Sequence, residues 1–319
     1  MAQPTNTFDS YDSVGNREDL RDIIYSISPT DTPFLTNAGR GKAKATYHEW
    51  QIDELANAST SNAVIEGDDA TYDAVTATTR VGNYTQILDK TAVVTGTVEA
   101  VDRAGRSQEM AYQMAKKSKE LKRDLEATLC ANQARVQGNA TLARKFGALG
   151  SWIATNDVIG GTGSPAGASP TGNGSNARTD AGTQAALTEA NLNLAIRNAW
   201  TEGGEPNMIM VGPFNKAKIT TFVGNATKYK DVQDKKIINA VDVYVSDFGE
   251  LTVVPNRFQR DKDVWVLDMD MWEVAYLRDF QQHELAKTGD SDKRQLLVEC
   301  TLVSKNQKAS AMVADCTTS

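Results

Sequence analysis

Between Tyr47 and Gln137 the chain sets two polar, β-prone segments directly before one long helical run. Tyr47-His48-Glu49-Trp50-Gln51-Ile52 alternates partway between aromatic or apolar and polar residues, the pattern of a half-solvated strand. Thr76 to Val101 is rich in Thr, Val, Ile and Tyr, which favour extended backbone. Leu55 to Tyr72, between them, is dominated by Ala, Ser, Asn and Asp. Two strands of ~12 to 15 residues would reach ~40 to 50 Å at ~3.3 Å per residue. A two-stranded ribbon this polar cannot enclose a core and is marginal alone in water. The pattern predicts a protrusion that rests on something else, most simply another copy of the same chain.

The helix is predicted to begin between Asp102 and Ser107 and to continue to about Gln137, with Gly138 as its C-terminal cap. Met110, Met114, Leu121, Leu125 and Leu129 form its apolar stripe. Lys116 with Glu120, and Lys122 with Glu126, are spaced as i, i+4 pairs on the wet side. At 1.5 Å per residue such a helix is ~45 to 50 Å long.

Upstream, residues 1 to 15 read as a flexible arm. Asn16 caps a short helix whose Leu20, Ile23, Ile24 and Ile27 share one face. Downstream, Gly160 to Gly182 is Gly-, Ser-, Thr- and Asn-rich and reads as a flexible loop or a domain boundary. Thr188 then caps a helix, with Leu187 stapling onto Leu192. Leu192, Ile196, Ala199 and Trp200 face the core, and Gly203-Gly204 stops the helix. Met208 to Val211 is a buried strand, and Pro213 opens another helix at its favoured first position. Val241, Val243 and Val245 alternate with polar residues, and the Asp247-Phe248-Gly249 turn returns Leu251 to Val254 as a hairpin. Val264 to Leu267, Trp272 to Leu277 and Gln295 to Val303 complete the strands.

Composition excludes several functions. The 319 residues are 40 % hydrophobic and 24 % charged, ordinary for a globular chain, with a net charge of -7. An acidic balance argues against a dedicated nucleic-acid reader and does not exclude a container whose wall should not stick to nucleic acid inside. No apolar stretch approaches the ~20 residues that span a bilayer, so no membrane role is expected. Cys130, Cys300 and Cys316 match no disulfide framework or metal-knuckle spacing, which suits a reducing compartment.

The residues offer little chemistry. His48 lies in a strand-like run and reads as structural, and His283 and Glu284 fall on opposite sides of a strand. Asp247-Phe248-Gly249 spells a kinase triplet without its partner motifs. Gly161-Thr162-Gly163 lacks the Lys-Ser/Thr of a phosphate loop. The acidic groups Glu66, Asp68, Asp69, Asp73 and Asp268, Asp270 lack calcium-loop spacing. The run Lys116-Lys117-Ser118-Lys119 reads as a solvated helix face, with ion pairing across a subunit contact as its functional alternative. No catalytic, metal-ligating or cofactor-binding residue is expected.

Particular wording points to a family. Glu18-Asp19-Leu20 with Ser28-Pro29-Thr30-Asp31-Thr32-Pro33-Phe34, then Lys44-Ala45-Thr46-Tyr47-His48-Glu49-Trp50-Gln51, then Glu66-Gly67-Asp68-Asp69-Ala70, resembles one branch of tailed-bacteriophage major capsid proteins with the Hong Kong 97-type fold. The resemblance implies an α+β fold: an N-terminal arm (1–46), an extended two-stranded β loop (47–101), a spine helix with a peripheral segment (102–186), an axial α/β domain (187–282) and a return to the peripheral domain (283–319). It further implies pentamers and hexamers of an icosahedral head that encloses double-stranded DNA without sequence-specific binding. The implied partners are a separate scaffolding protein, a portal at one vertex and a decoration protein; the site is the virion, assembled in the bacterial cytoplasm. Trp50, Tyr72 and Tyr84 are the expected assembly contacts, because aromatics dominate interface energy. A tail or adhesin subunit, and an enzyme with a site around Val211-Gly212-Pro213, are the alternatives.

Overall fold

The computed structural model of the chain describes residues 29–56, 58–69, 72–101, 107–222 and 243–319. The expected first helix around Leu20 to Ile27 and the arm before it lie outside these residues. In chain order the elements are α1 (Pro33–Asn37), β1 (Gly39–Lys42), β2 (Tyr47–Ile52), β3 (Thr79–Tyr84), β4 (Gln86–Thr95), α2 (Gly96–Ala100), α3 (Glu109–Leu129), β5 (Asp157–Ile159), α4 (Glu189–Thr201), β6 (Met208–Val211), α5 (Pro213–Thr220), β7 (Val243–Ser246), β8 (Gly249–Pro255), β9 (Val264–Leu267), β10 (Trp272–Glu284), β11 (Ser291–Ser304) and β12 (Ala311–Ala314).

Three sheets result. A four-stranded sheet has the order β1-β10-β11-β4, a six-stranded sheet the order β5-β12-β9-β6-β8-β7, and β2 with β3 forms a separate hairpin. The predicted apolar stripe of α3 is buried in full. It covers one face of the four-stranded sheet, joining Ala92, Val94, Val298 and Cys300 in one core. The opposite face carries a smaller cluster of Ala43, Ala275 and Val303, with Trp50 and Leu277 against it.

Alternation along the six-stranded sheet joins two cores into one body. Ile209, Val211, Val264, Val266 and Val313 point toward Leu192, Ile196 and Ala199 of α4. Their strand neighbours Met208, Met210, Trp265, Leu267 and Met312 point the other way, into the core that α3 closes. Local signals placed α4 correctly: Asn191 N–H donates to the Thr188 hydroxyl at 3.2 Å, and Gly203 takes φ +88° just past the end. Pro213 stands at the start of α5, and Gly249 at φ +145° makes the β7–β8 turn.

Several expectations are corrected. α3 ends at Leu129 rather than Gln137, so its 21 residues span about 32 Å at 1.5 Å each. Tertiary bonds claim the residues beyond it: Asn132 brackets the Arg178 backbone as donor and acceptor, and Val136 pairs with Lys145. Gly138, at φ +75°, sits in that turn and caps no helix. The ribbon is shorter than expected, because β4 leaves it and runs antiparallel to β11 from Ser291↔Thr95 to Cys300↔Gln86. Gly96 to Ala100 is a short helix rather than strand. Gly160 to Gly182 is knitted in by the Thr162↔Thr183 and Ala168↔Thr179 bridges. Trp200 is 53 % exposed, turned out of the core to stack on Phe248 at 5.2 Å. β10 begins at Trp272 in the four-stranded sheet, and β12 belongs to the six-stranded one.

Candidate assembly surface

The β2–β3 hairpin pairs from Tyr47↔Tyr84 to Ile52↔Thr79 and then opens into a long connecting loop. Its root is fastened to the body. Trp50 Nε1 donates to the Ser304 carbonyl at 2.8 Å, and the ring lies 5.5 Å from that of buried Trp152. Asn83 donates to the Gly147 and Leu302 carbonyls and accepts from Gly147 N–H. Arg135 donates to the Gly82 carbonyl and covers the Tyr47 ring, which itself packs 4.6 Å from Tyr84. Lys308 reaches Glu54 at 2.7 Å, where the loop departs.

Beyond that root the loop holds apolar side chains in the open. Leu55 is 99 % exposed, Tyr72 100 % and Val75 98 %, with Val64 and Ile65 close behind. These are the most exposed large apolar side chains among the described residues. The three aromatics expected at contacts therefore have different situations. Tyr72 is free, whereas Trp50 and Tyr84 are half-buried in the hairpin's own footing.

A second feature is the socket for α1, the short helix at Pro33–Asn37. Glu126 lies on the side of α3 expected to be wet, yet it is fully buried. Its Oε1 accepts from Phe34 N–H and its Oε2 from Leu35 N–H, both at 2.8 Å, and Asn256 donates to Oε1 at 2.7 Å. Burial pushes this carboxyl above the ordinary value, and the three donors pull against that. Lys122 is left without Glu126 and lies over the Phe280 ring. Sequence spacing alone cannot find such a socket, because its partners sit 92 and 130 residues away.

The third feature is a buried ionic cluster at one end of the six-stranded sheet. Arg178, fully buried, grips Asp315 through two bonds of 3.3 and 3.0 Å and approaches Asp157 at 3.5 Å. Asp315 takes φ +58°, a left-handed conformation that a short polar side chain tolerates. Asp180 accepts from Arg178 at 2.7 Å and from Arg260 and Lys262 at 2.6 Å each. Burial raises the Asp180 carboxyl, but Arg260 and Lys262 outweigh it and hold it down at about 2. Asp263 is the odd member. It lies 3.1 Å from Arg260 Nη1, yet neither oxygen receives an aligned hydrogen bond. Burial pushes it up to about 6 against the pull of Arg260 and Arg178. Arg178 is what ties the glycine-rich stretch to β5 and to the residue after β12.

Candidate chemistry does not converge. His48 sits 5.9 Å from the Trp50 ring in the hairpin, and His283 is exposed on β10. Asp247 to Gly249 is the β7–β8 turn, and Asp268 caps the backbone at Asp270. Among the described residues no group of His, Cys, Asp and Glu is arranged to hold a metal. No helix there is long and apolar enough to cross a membrane.

A family model for SU10 major capsid protein matches residues 3–317. The chain belongs to the SU10 major capsid protein family. The major capsid protein of Escherichia phage Phieco32 is 30 % identical, over 98 % of this chain and 97 % of that protein. The solved capsid asymmetric unit of Cyanophage A-1(L) superposes with a TM-score of 0.66 at 13 % identity, over 95 % of this chain and 98 % of that one. The capsid of a native GTA particle gives 0.63 at 10 % identity, over 97 % and 98 %. The fold of this SU10-family chain is the Hong Kong 97 type, and it is a phage major capsid protein.

Proposed function

We propose that this capsid protein assembles as pentamers and hexamers of an icosahedral head that encloses double-stranded DNA. The carrying observation is the loop beyond β2 and β3, whose Leu55, Val64, Ile65, Tyr72 and Val75 are left uncovered by the described residues. Laid over an adjacent subunit, these side chains would bury area that a lone chain leaves wet. In this reading Tyr72 is a contact, while Trp50 and Tyr84 hold the hairpin at the angle from which the loop can reach. Each contact is modest, but a subunit that engages several neighbours at once dissociates very slowly.

The same reading assigns the four-stranded sheet with α3 to the peripheral domain and the six-stranded sheet with α4 to the axial domain. A separate scaffolding protein, a portal at one vertex and a decoration protein are its partners, and assembly takes place in the host cytoplasm.

The test is removal of residues 55–76, which leaves four residues to close the β2–β3 hairpin, a common loop length. A larger cut into residues 79–90 would also remove β3 and half of β4, and so the sheet itself. The shortened chain should keep its circular dichroism spectrum and form no particles by electron microscopy. Normal shells would remove the loop from the assembly contact. Rings or fibres from the intact chain would favour a tail subunit.

A further inference from the structure

Charge is distributed unevenly about the four-stranded sheet. Between Ile52 and Thr79 the loop carries Asp53, Glu54, Glu66, Asp68, Asp69 and Asp73 and no Lys or Arg. Its hairpin is rooted through Trp50 at the sheet's margin, against Ala275 and Val303 on one side and the core that holds Trp152 on the other. One face of the sheet is covered by α3, which carries Lys116, Lys117, Lys119, Lys122 and Arg123. Of the acidic residues on α3, Glu109 and Glu126 are buried. Glu120 is taken by Lys117 at 2.8 Å, and Asp124 by Lys90 of β4 at 2.7 Å. Lys116, Lys119 and Lys122 are exposed and form no ion pair among the described residues. A chain of net charge -7 therefore presents a row of unneutralised ammonium groups on one helix.

We infer that the exposed face of α3 contacts the phosphates of the enclosed DNA through Lys116, Lys119 and Lys122. This rests on the proposed DNA-filled head and adds which face of the wall turns inward. Lysine is a flexible point charge that contacts phosphate without reading bases, which suits contents of any sequence. An acidic loop is repelled by DNA and belongs on the contacts between subunits. Three phosphate contacts per chain bind weakly, and repetition around the shell makes the sum large.

The full-length chain, titrated with a short mixed-sequence DNA duplex over a range of salt, tests this. Each phosphate contact adds about 0.9 to the slope of log affinity against log salt. K116Q/K119Q/K122Q should flatten that slope by about 2 to 3, while D68N/D69N/D73N should leave it unchanged. All three lysines are exposed, so an unchanged circular dichroism spectrum is expected for the triple variant. An unaltered slope, or no binding by the wild type, overturns the inference. In assembled heads the triple variant should close normal shells and retain less DNA. Failure of those shells to close before DNA enters would give the α3 face to an acidic assembly partner and overturn the inference as well. Wild-type heads without DNA would instead bring down the enclosure reading beneath it. Equal DNA in both kinds of head would bring down the phosphate contact alone.

Discussion

Glu126 shows how one side chain can fix the position of another element. Its carboxylate is the common acceptor for two backbone donors of α1 and one amide from the loop after β8. Glu126→Ala strands two buried donors and a half-buried one, so it should lower unfolding free energy by about 2 to 4 kcal/mol in urea titration. Asp263 makes a different prediction. Its folded pKa of about 6 lies above the ordinary 3.8, so between these values the folded chain binds more protons than the unfolded chain. The group's penalty is therefore full above pH 6 and fades as pH falls toward 4. Two pKa units correspond to at most about 3 kcal/mol. Asp263→Asn should make stability less dependent on pH across that window, measured by thermal melts from pH 7 to pH 4; an unchanged profile would count against an ionised, buried Asp263.

Elements were legible in the sequence where local chemistry decided them. The cap at Thr188, the proline at 213, the turn at 247 to 249 and the buried stripe of α3 all form as read. Reading failed where distant partners decided. Helical propensity carries through Asn132 and Gln133, but their amides are committed to Arg178, Gln86 and Phe146. The glycine-rich stretch reads as slack chain until Arg178 is seen inside a cluster whose other members come from residues 157, 263 and 315. Trp200 has the right spacing for the core, yet it sits on the flank of α4 against Phe248. Of the residues expected at contacts, Tyr72 is exposed as its loop position suggests, whereas the footing of Trp50 depends on Ser304 and Trp152. Trp50→Ala removes a half-buried ring and its bond, so a loss of about 2 to 4 kcal/mol is expected. Amide exchange should speed up first in β2 and β3, and uniform exchange across both sheets would refute that footing.

On the scale of the whole molecule, the two cores share their strands, and all three cysteines lie inside them. Cys130, Cys300 and Cys316 are free and buried. Burial pushes the thiols of Cys300 and Cys316 up to about 12, and that of Cys130 well above its ordinary value. Since thiolate is the reactive form, the native chain at pH 8 should resist iodoacetamide and label at three sites only after denaturation. Rapid labelling of the native chain would mean that the cores open readily.

The order of strands in the six-stranded sheet has a consequence for biosynthesis. Among the described residues β5, at Asp157–Ile159, has β12, at Ala311–Ala314, as its only strand neighbour. At ~5 to 20 residues per second a ribosome delivers the second roughly 8 to 30 s after the first. For that interval the nascent polypeptide holds an unpaired edge, and the layer under α4 cannot close during early translation. Closure of this layer is thereby deferred until β12 has left the ribosome.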